Sequence, residues 1–258
     1  MTDSLHTSVP HTLSPKPVNS LILILVAKAA VPGRVKTRLI NPLSADQAAA
    51  VHSAFLNYLR IMAEDWKSQT SATRQMENPP FAPDLDLVLL FDALGQSTAA
   101  FQWPGWRKIP QSAGDLGTRM RLAAEACFAD GADAIIFIGV DSVHVTIAQL
   151  DWIWKRLMQA DAVMLPAHDG GYIALGLWQE ALPALDGIAW GTSVVARQTE
   201  ERVRAAGLQL ERGKEMPDID TLADLRHLLT QLSSREDSAA QSLYSYLRLI
   251  VPEAETGV

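Results

Sequence analysis

Residues 21–27 are seven consecutive apolar side chains, Leu-Ile-Leu-Ile-Leu-Val-Ala, and the run ends directly on Lys28. An unbroken apolar run of this length marks a strand buried on both faces, as in a parallel sheet covered by helices. It is far too short to cross a bilayer as a helix. Lys16 before it and Ala27-Lys28-Ala29 after it imitate a secretory signal. A buried first strand is the better reading, because Lys28, Arg34, Lys36 and Arg38 follow within eleven residues. In open α/β sheets ligands sit beyond the carboxyl ends of the strands. The segments just after each apolar run are therefore where chemistry is sought.

The rest of the chain alternates in the same manner. Ser44 with Gln47 three residues on forms a capping box, and Ala48, Val51, Phe55 and Leu59 give a helix one apolar face to about Trp66. Residues 68–84 are polar and carry Pro79, Pro80 and Pro83, which predicts a loop insertion. Strands are expected at 85–91, 134–138, 162–165, 172–177 and 208–211. Helices are expected at 116–129, 146–159, 192–206 and 221–232, with Gly207 as a C-terminal cap. Strands alternating with helices indicate an α/β domain with a mostly parallel sheet. The organisation read from this pattern is a flexible leader over 1–18, an α/β domain over 19–232, and a tail over 233–258 with a helix at 238–249.

Composition narrows the class. The chain has 258 residues, 48% apolar and 20% charged, as a globular protein with a sizeable core requires. A net charge of −7 argues against a general nucleic-acid partner. One cysteine, Cys127, excludes an intramolecular disulfide and suits a reducing compartment, so a cytoplasmic location is expected.

Four segments carry chemistry. The first is the basic loop 28–38, in which Gly33 permits close backbone approach, Pro32 stiffens the turn, and Lys28, Arg34, Lys36 and Arg38 suit phosphate oxygens. It is not a Walker A loop. If extended, it would align Arg34, Lys36 and Arg38; as a helical turn it would align Arg34 and Arg38 and turn Lys36 away. The second is Gly139-Val140-Asp141-Ser142, where the aspartate either holds Mg²⁺ or Mn²⁺ with phosphates or, with Ser142, caps the next helix. The third is Asp169-Gly170-Gly171, either a close backbone approach to a ligand or a plain hairpin turn. The fourth is Asp218-Ile219-Asp220-Thr221, where either Asp220 or Thr221 caps the helix that follows, or Asp218 and Asp220 join Asp141 at a metal. Carboxylates gathered round a metal would repel one another in the free protein, so removing one charge is expected to stabilise it.

In order along the chain, Ala27-Lys28 with Val31–Leu39, Gly114-Asp115-Leu116-Gly117-Thr118-Arg119-Met120, Gly139–Ser142, Pro166 with Asp169–Tyr172, Trp190-Gly191-Thr192 and Asp218–Thr221 with Asp224-Leu225 form a series. The series resembles a bacterial GT-A-like family of arsenosugar-biosynthesis-type glycosyltransferases, formerly a domain of unknown function. It is more distantly similar to phospholactate guanylyltransferases. The resemblance implies a Rossmann-like GT-A fold, the nucleotide-diphospho-sugar transferase fold. It implies metal-binding roles for Asp141 and Asp220, with Mg²⁺ or Mn²⁺ as the cofactor. Phosphate or nucleotide contacts are expected from Lys28, Gly33, Arg34, Lys36 and Arg38, from Gly114, Asp115, Gly117 and Arg119, and from Ser142, Gly170 and Gly171. Asp169 and Lys36 are the expected catalytic residues, Asp169 orienting the acceptor or acting as base. The sequence departs from the family at Val143 and His144, where a proline usually follows the Asp-Ser pair, and at Ala30, which replaces another.

The expected activity is a metal-dependent glycosyltransferase with a nucleotide-diphospho-sugar donor and a small-molecule acceptor. The alternatives are a nucleotidyltransferase acting on a phosphorylated small molecule with a nucleoside triphosphate, or a non-catalytic nucleotide-binding protein. No nucleic-acid partner and no membrane span are expected.

Overall fold

The computed structural model describes residues 16–76, 82–96 and 101–252. β1 (Ser20–Lys28) is followed by a short 3-10 helix (Thr37–Leu39), α1 (Ala45–Met76), β2 (Asp84–Asp92), β3 (Arg107–Pro110), α2 (Leu116–Ala129), β4 (Ala134–Gly139) and α3 (Ile147–Leu157). Then come β5 (Ala162–Pro166), β6 (Tyr172–Trp178), a 3-10 helix (Gln179–Leu185), α4 (Val195–Ala205), β7 (Leu210–Arg212), α5 (Leu222–Leu232) and α6 (Ser238–Ile250).

The strands form one seven-stranded sheet in the order β3-β2-β1-β4-β6-β5-β7. β1 runs parallel to both of its neighbours, β2 and β4. The chain builds β2 and β3 on one side of β1 and then crosses to place β4 on the other. The switch point lies between β1 and β4, where open α/β sheets leave a crevice for ligands. β6 is antiparallel to β4 and β5, and β7 is again parallel to β5. This reversal puts the β5–β6 turn, and the segment after β7, at the same sheet edge as the ends of β1 and β4.

Both faces of the sheet are covered, as the unbroken apolar run requires. Leu21, Leu23 and Leu25 of β1 face a core shared with α1, α3, α5 and α6, while Ile22 and Ile24 face a second core shared with α2, α4 and the 179–185 helix. The alternation is the period-2 signature of a strand. Helix starts follow their caps. The Ser44–Gln47 box is formed in both directions. Thr146 with Gln149 caps α3, and Thr221 with Asp224 caps α5.

Three expectations change. The predicted loop 68–84 is helical as far as Met76. Its polar residues contain no helix breaker before Pro79, Thr70 is buried one turn beyond Trp66, and Arg74 donates to the carbonyls of Asn19 and Ala82 at 3.2 and 3.1 Å. Residues 1–15 of the predicted leader lie outside the described residues, but 16–18 belong to the domain: Lys16 pairs with Asp161 at 2.7 Å and Val18 is buried. α6 forms where the tail predicted it, yet it is part of the main core, burying Ala240, Leu243 and Leu247. β3 was not foreseen, because Arg107 and Lys108 break any apolar pattern in four residues. Among the described residues no helix is long and apolar enough to cross a membrane.

Trp66 is fully buried, and its Nε1 donates to Asp151 Oδ1 at 2.8 Å, tying α1 to α3. Trp66→Ala is expected to cost about 3–5 kcal/mol. Trp66→Phe should cost less, retaining most of the buried ring and losing only the bond to Asp151. Urea unfolding of the two variants beside the wild type measures both; equal losses would show that the hydrogen bond dominates the packing.

Candidate active site

The site is assembled on Lys36. This residue opens the Thr37–Leu39 helix with φ 46°, a left-handed backbone that a non-glycine residue adopts at a cost of about 1–3 kcal/mol. The turn is neither the extended nor the regular helical alternative, and it sends Lys36 inward while Arg34 and Arg38 stay exposed. The Lys36 side chain is only 5% exposed. Its Nζ lies 2.6 Å from Asp141 Oδ1 and donates to the carbonyl of Ile219 at 2.5 Å. The ammonium also sits 5.0 Å from the ring centre of Phe55. One side chain thus joins the segments after β1, β4 and β7.

Around this junction lies a cleft of two adjoining lobes. The first has a volume of ≈ 510 Å³ and is bordered by Lys28, Arg34, Lys36, Arg38, His52, Gln111 and Arg119 together with Asp141 and Asp220. The second, of ≈ 490 Å³, is bordered by Asp141, Ser142, Asp169, Gly171, Tyr172, Trp190, Asp218 and Asp220. Arg38, Asp141 and Asp220 border both. Arg38 is paired with Asp220 and remains 72% exposed, at the rim between the lobes.

The capping alternatives are resolved. Asp141 and Ser142 do not cap α3, since Thr146 does. Asp220 does not cap α5; Thr221 does, and Asp224 accepts from the backbone N–H of both Asp220 and Thr221. Both aspartates are left to face the cleft. Asp169-Gly170-Gly171 is a hairpin turn, with Asp169 Oδ1 accepting from the Gly171 N–H at 2.8 Å, and it also lies at the cleft.

Several expected ligand contacts serve the fold. Gly33, Gly114, Asp115, Gly117 and Gly170 border neither lobe. Asp115 is the N-cap of α2, accepting from the Thr118 N–H, and that bond above all holds its carboxyl below the ordinary carboxylate range. Gly117 is needed for packing: a Cβ there would lie 2.3 Å from Trp190 Nε1 and 2.6 Å from the Leu185 carbonyl oxygen. At Gly170, with φ +86°, a Cβ would lie 2.0 Å from the carbonyl oxygen of Ser193. Ser142 borders the second lobe, but its hydroxyl donates to the Ile173 carbonyl at 2.7 Å and accepts from the Gly139 N–H at 3.2 Å. Its hydrogen bonding closes the turn after β4. Arg119 does border the first lobe, oriented by the Gly114 carbonyl at 2.9 Å and by Gln111 Oε1 at 3.0 Å.

Two residues of the first lobe escaped sequence reasoning. His52 of α1 donates from Nε2 to the Lys28 carbonyl at 3.0 Å, and burial holds its pKa below the usual histidine value. Gln111 donates to the Ala27 carbonyl at 3.0 Å, fixing the end of β1 from the unforeseen β3 side. The signal for His52 was present, since it sits beside Val51 on the apolar face of α1.

Residues 79–192 match the family described as "Uncharacterized protein conserved in bacteria (DUF2064)". This agrees with the resemblance read from the motifs, and the matched segment holds Arg119, Asp141, Asp169, Tyr172 and Trp190. The basic loop and Asp220 lie outside it. Among solved structures, a candidate nucleotide-diphospho-sugar transferase from Desulfovibrio desulfuricans G20 is similar at 24% identity and TM-score 0.72, over 90% of this chain and 98% of that one. The chain has the nucleotide-diphospho-sugar transferase fold. A cytidylyltransferase from Leptospira borgpetersenii matches at 15% identity and TM-score 0.49, over 90% and 94% of the two chains. Rv0371c from Mycobacterium tuberculosis H37Rv, solved as a manganese complex, matches at 16% identity and TM-score 0.46, over 82% and 99%. No curated protein matches the chain.

The Lys36–Asp141 pair argues, at Asp141, for the opposite of the expectation that removing a site carboxylate stabilises the protein. Asp141 is 51% exposed, so losing Lys36 leaves a carboxylate that water can solvate. Losing Asp141 leaves a buried ammonium with the Ile219 carbonyl. Asp141→Asn is therefore expected to destabilise more than Lys36→Met, and both by less than the ~3–5 kcal/mol of a fully buried pair. Thermal denaturation at neutral pH decides, and the reverse order would refute this account of the pair.

Asp218 is where a stabilising replacement is expected instead. Burial raises its pKa first, and Asp169, Asp220 and Asp224 raise it further. A carboxyl with a raised native pKa destabilises the fold once it ionises. Asp218→Asn is expected to raise the melting temperature at pH 7. The gain should shrink as pH falls through the raised value and vanish below the ordinary aspartate pKa of about 3.9. Melting curves across that range test it; a gain that grows on acidification would contradict the assignment.

Proposed function

We propose that the protein is a divalent-cation-dependent glycosyltransferase that moves a sugar from a nucleotide-diphospho-sugar to a hydroxyl of a small acceptor. The observation that carries this reading is the convergence, at the β1–β4 switch point, of the basic loop, Asp141 and Asp220 on one lobe with Asp169 and Asp218 on the next. In this reading Lys28, Arg34 and Arg119 take the diphosphate in the first lobe. Guanidinium groups match phosphate oxygens in pairs and the ammonium acts as a point charge.

The donor set fits a hard cation. Asp141 and Asp220 offer only oxygen, and both border the lobe assigned to phosphate. Among the described residues no group of three or more His, Cys, Asp or Glu is arranged to hold a metal. Two carboxylates completed by phosphate oxygens and water are the arrangement Mg²⁺ commonly takes. When bound, the cation supplies neutralisation of the charge that develops on the diphosphate.

The remaining work belongs to the chain. The acceptor oxygen forms a bond to the anomeric carbon, the bond from that carbon to the diphosphate breaks with its electron pair, and the acceptor proton leaves to a base. Asp169, with Oδ1 held by the Gly171 N–H, orients the acceptor hydroxyl. Asp218, whose raised pKa strengthens it as a proton acceptor, serves beside it. Lys36, buried and tied to Asp141, positions that aspartate and adds fixed positive charge behind the phosphates.

Calorimetric titration of nucleotide sugars into wild type and Asp141→Asn, with and without Mn²⁺, tests the proposal below the melting temperature of both. Mn²⁺ is expected to strengthen binding to the wild type by about tenfold or more, roughly 1.4 kcal/mol, and to leave the variant unchanged. Equal metal dependence in the two would sink the metal site. Turnover should release a nucleoside diphosphate; release of pyrophosphate from a nucleoside triphosphate would instead establish nucleotidyl transfer.

A further inference from the structure

The two lobes of the cleft carry opposite charge. Lys28, Arg34, Lys36, Arg38 and Arg119 border the first, against Asp141 and Asp220. Asp141, Asp169, Asp218 and Asp220 border the second, against Arg38 as its one cation among the described residues. That guanidinium sits on the rim and is paired with Asp220. The wall of the second lobe is aromatic, with Tyr172 and Trp190 in edge-to-face contact at 6.2 Å.

A group entering the second lobe therefore meets carboxylate oxygens, which accept hydrogen bonds and donate none when ionised. Hydroxyl and ammonium groups satisfy them, and aromatic faces suit the C–H edges of a ring or chain. A phosphate or carboxylate brings like charge to Asp169 and Asp218, the two carboxylates of this lobe that the proposed cation does not engage. Specificity built on repulsion of the wrong ligand needs no extra contact with the right one.

Resting on the donor reading above, we propose that the second lobe admits a hydroxyl-bearing acceptor that carries no phosphate or carboxylate, and that Asp169 and Asp218 exclude anionic acceptors. The two residues are thus specificity determinants as well as neighbours of the reacting hydroxyl. The inference bears on the reaction class, because an acceptor that must be phosphorylated is the wrong charge for this lobe.

The test uses the full chain and two matched probe pairs, glycerol with glycerol 3-phosphate and glucose with glucose 6-phosphate. Each is added to protein holding the nucleotide sugar that stabilises it most. The readouts are nucleoside diphosphate release and the further shift in melting temperature. Wild type should favour the unphosphorylated member of each pair by about tenfold or more, about 1.4 kcal/mol. Asp169→Asn and Asp218→Asn should each narrow that preference; asparagine keeps an oxygen for the Gly171 N–H at position 169. A preference for the phosphorylated members, no preference by either readout, or a preference unchanged in both variants would overturn the proposal. Nucleotide-sugar binding is measured separately. Its absence, with the pair preference intact, would remove the donor reading alone, while nucleotide binding with phosphorylated probes preferred would remove only this one.

Discussion

The buried ammonium of Lys36 is the constraint on which the site depends. An isolated charge inside a protein is costly unless it is paired and hydrogen-bonded. Lys36 is satisfied by Asp141 and by the Ile219 carbonyl, with the Phe55 ring beside it. Those partners come from the segment after β4, the segment before α5, and α1. Solvating one charge therefore requires three separate stretches of chain to be in place. The left-handed backbone at Lys36 is tolerable for the same reason, since the surroundings over-determine it.

The sheet topology makes that convergence possible. A crossover at β1–β4 opens the crevice, and reversal of β6 brings the β5–β6 turn to it. Parallel β7 then delivers residues 213–220 along the same edge, where the Met216 N–H and carbonyl bond to the Pro166 carbonyl and the His168 N–H at 2.9 and 3.0 Å. Asp169 and Asp218 are brought to a common lobe by backbone pairing and need no direct contact with each other. The burial that raises Asp218 follows from this arrangement.

Residues whose place beside the cleft is set by adjacency to an apolar run were legible in the sequence. The basic loop, Asp141 and Asp169 all sit at strand ends, and strand ends are where such sheets bind ligands. Residue type alone could not separate a group that faces a ligand from one the fold requires. Asp115, Gly117 and Ser142 have the chemistry of nucleotide contacts. The structure uses them for a cap, a close approach to Trp190 and a turn. Gly117 shows why: its constraint comes from Trp190 and Leu185, more than sixty residues away, and no local pattern contains that distance. The overlong α1 was misread for a different reason, since polar residues on an exposed helical surface look like loop until the buried Thr70 is placed.

The contact between Gly170 and Ser193 sets main chain against main chain, with no room for even one carbon between them. The span from the β5–β6 turn to the Trp190–Ser193 segment is thus gauged by peptide groups. The contact involves no side chain, so exchanges at Tyr172 or Trp190 would change the chemistry of the wall while leaving this one main-chain strut in place.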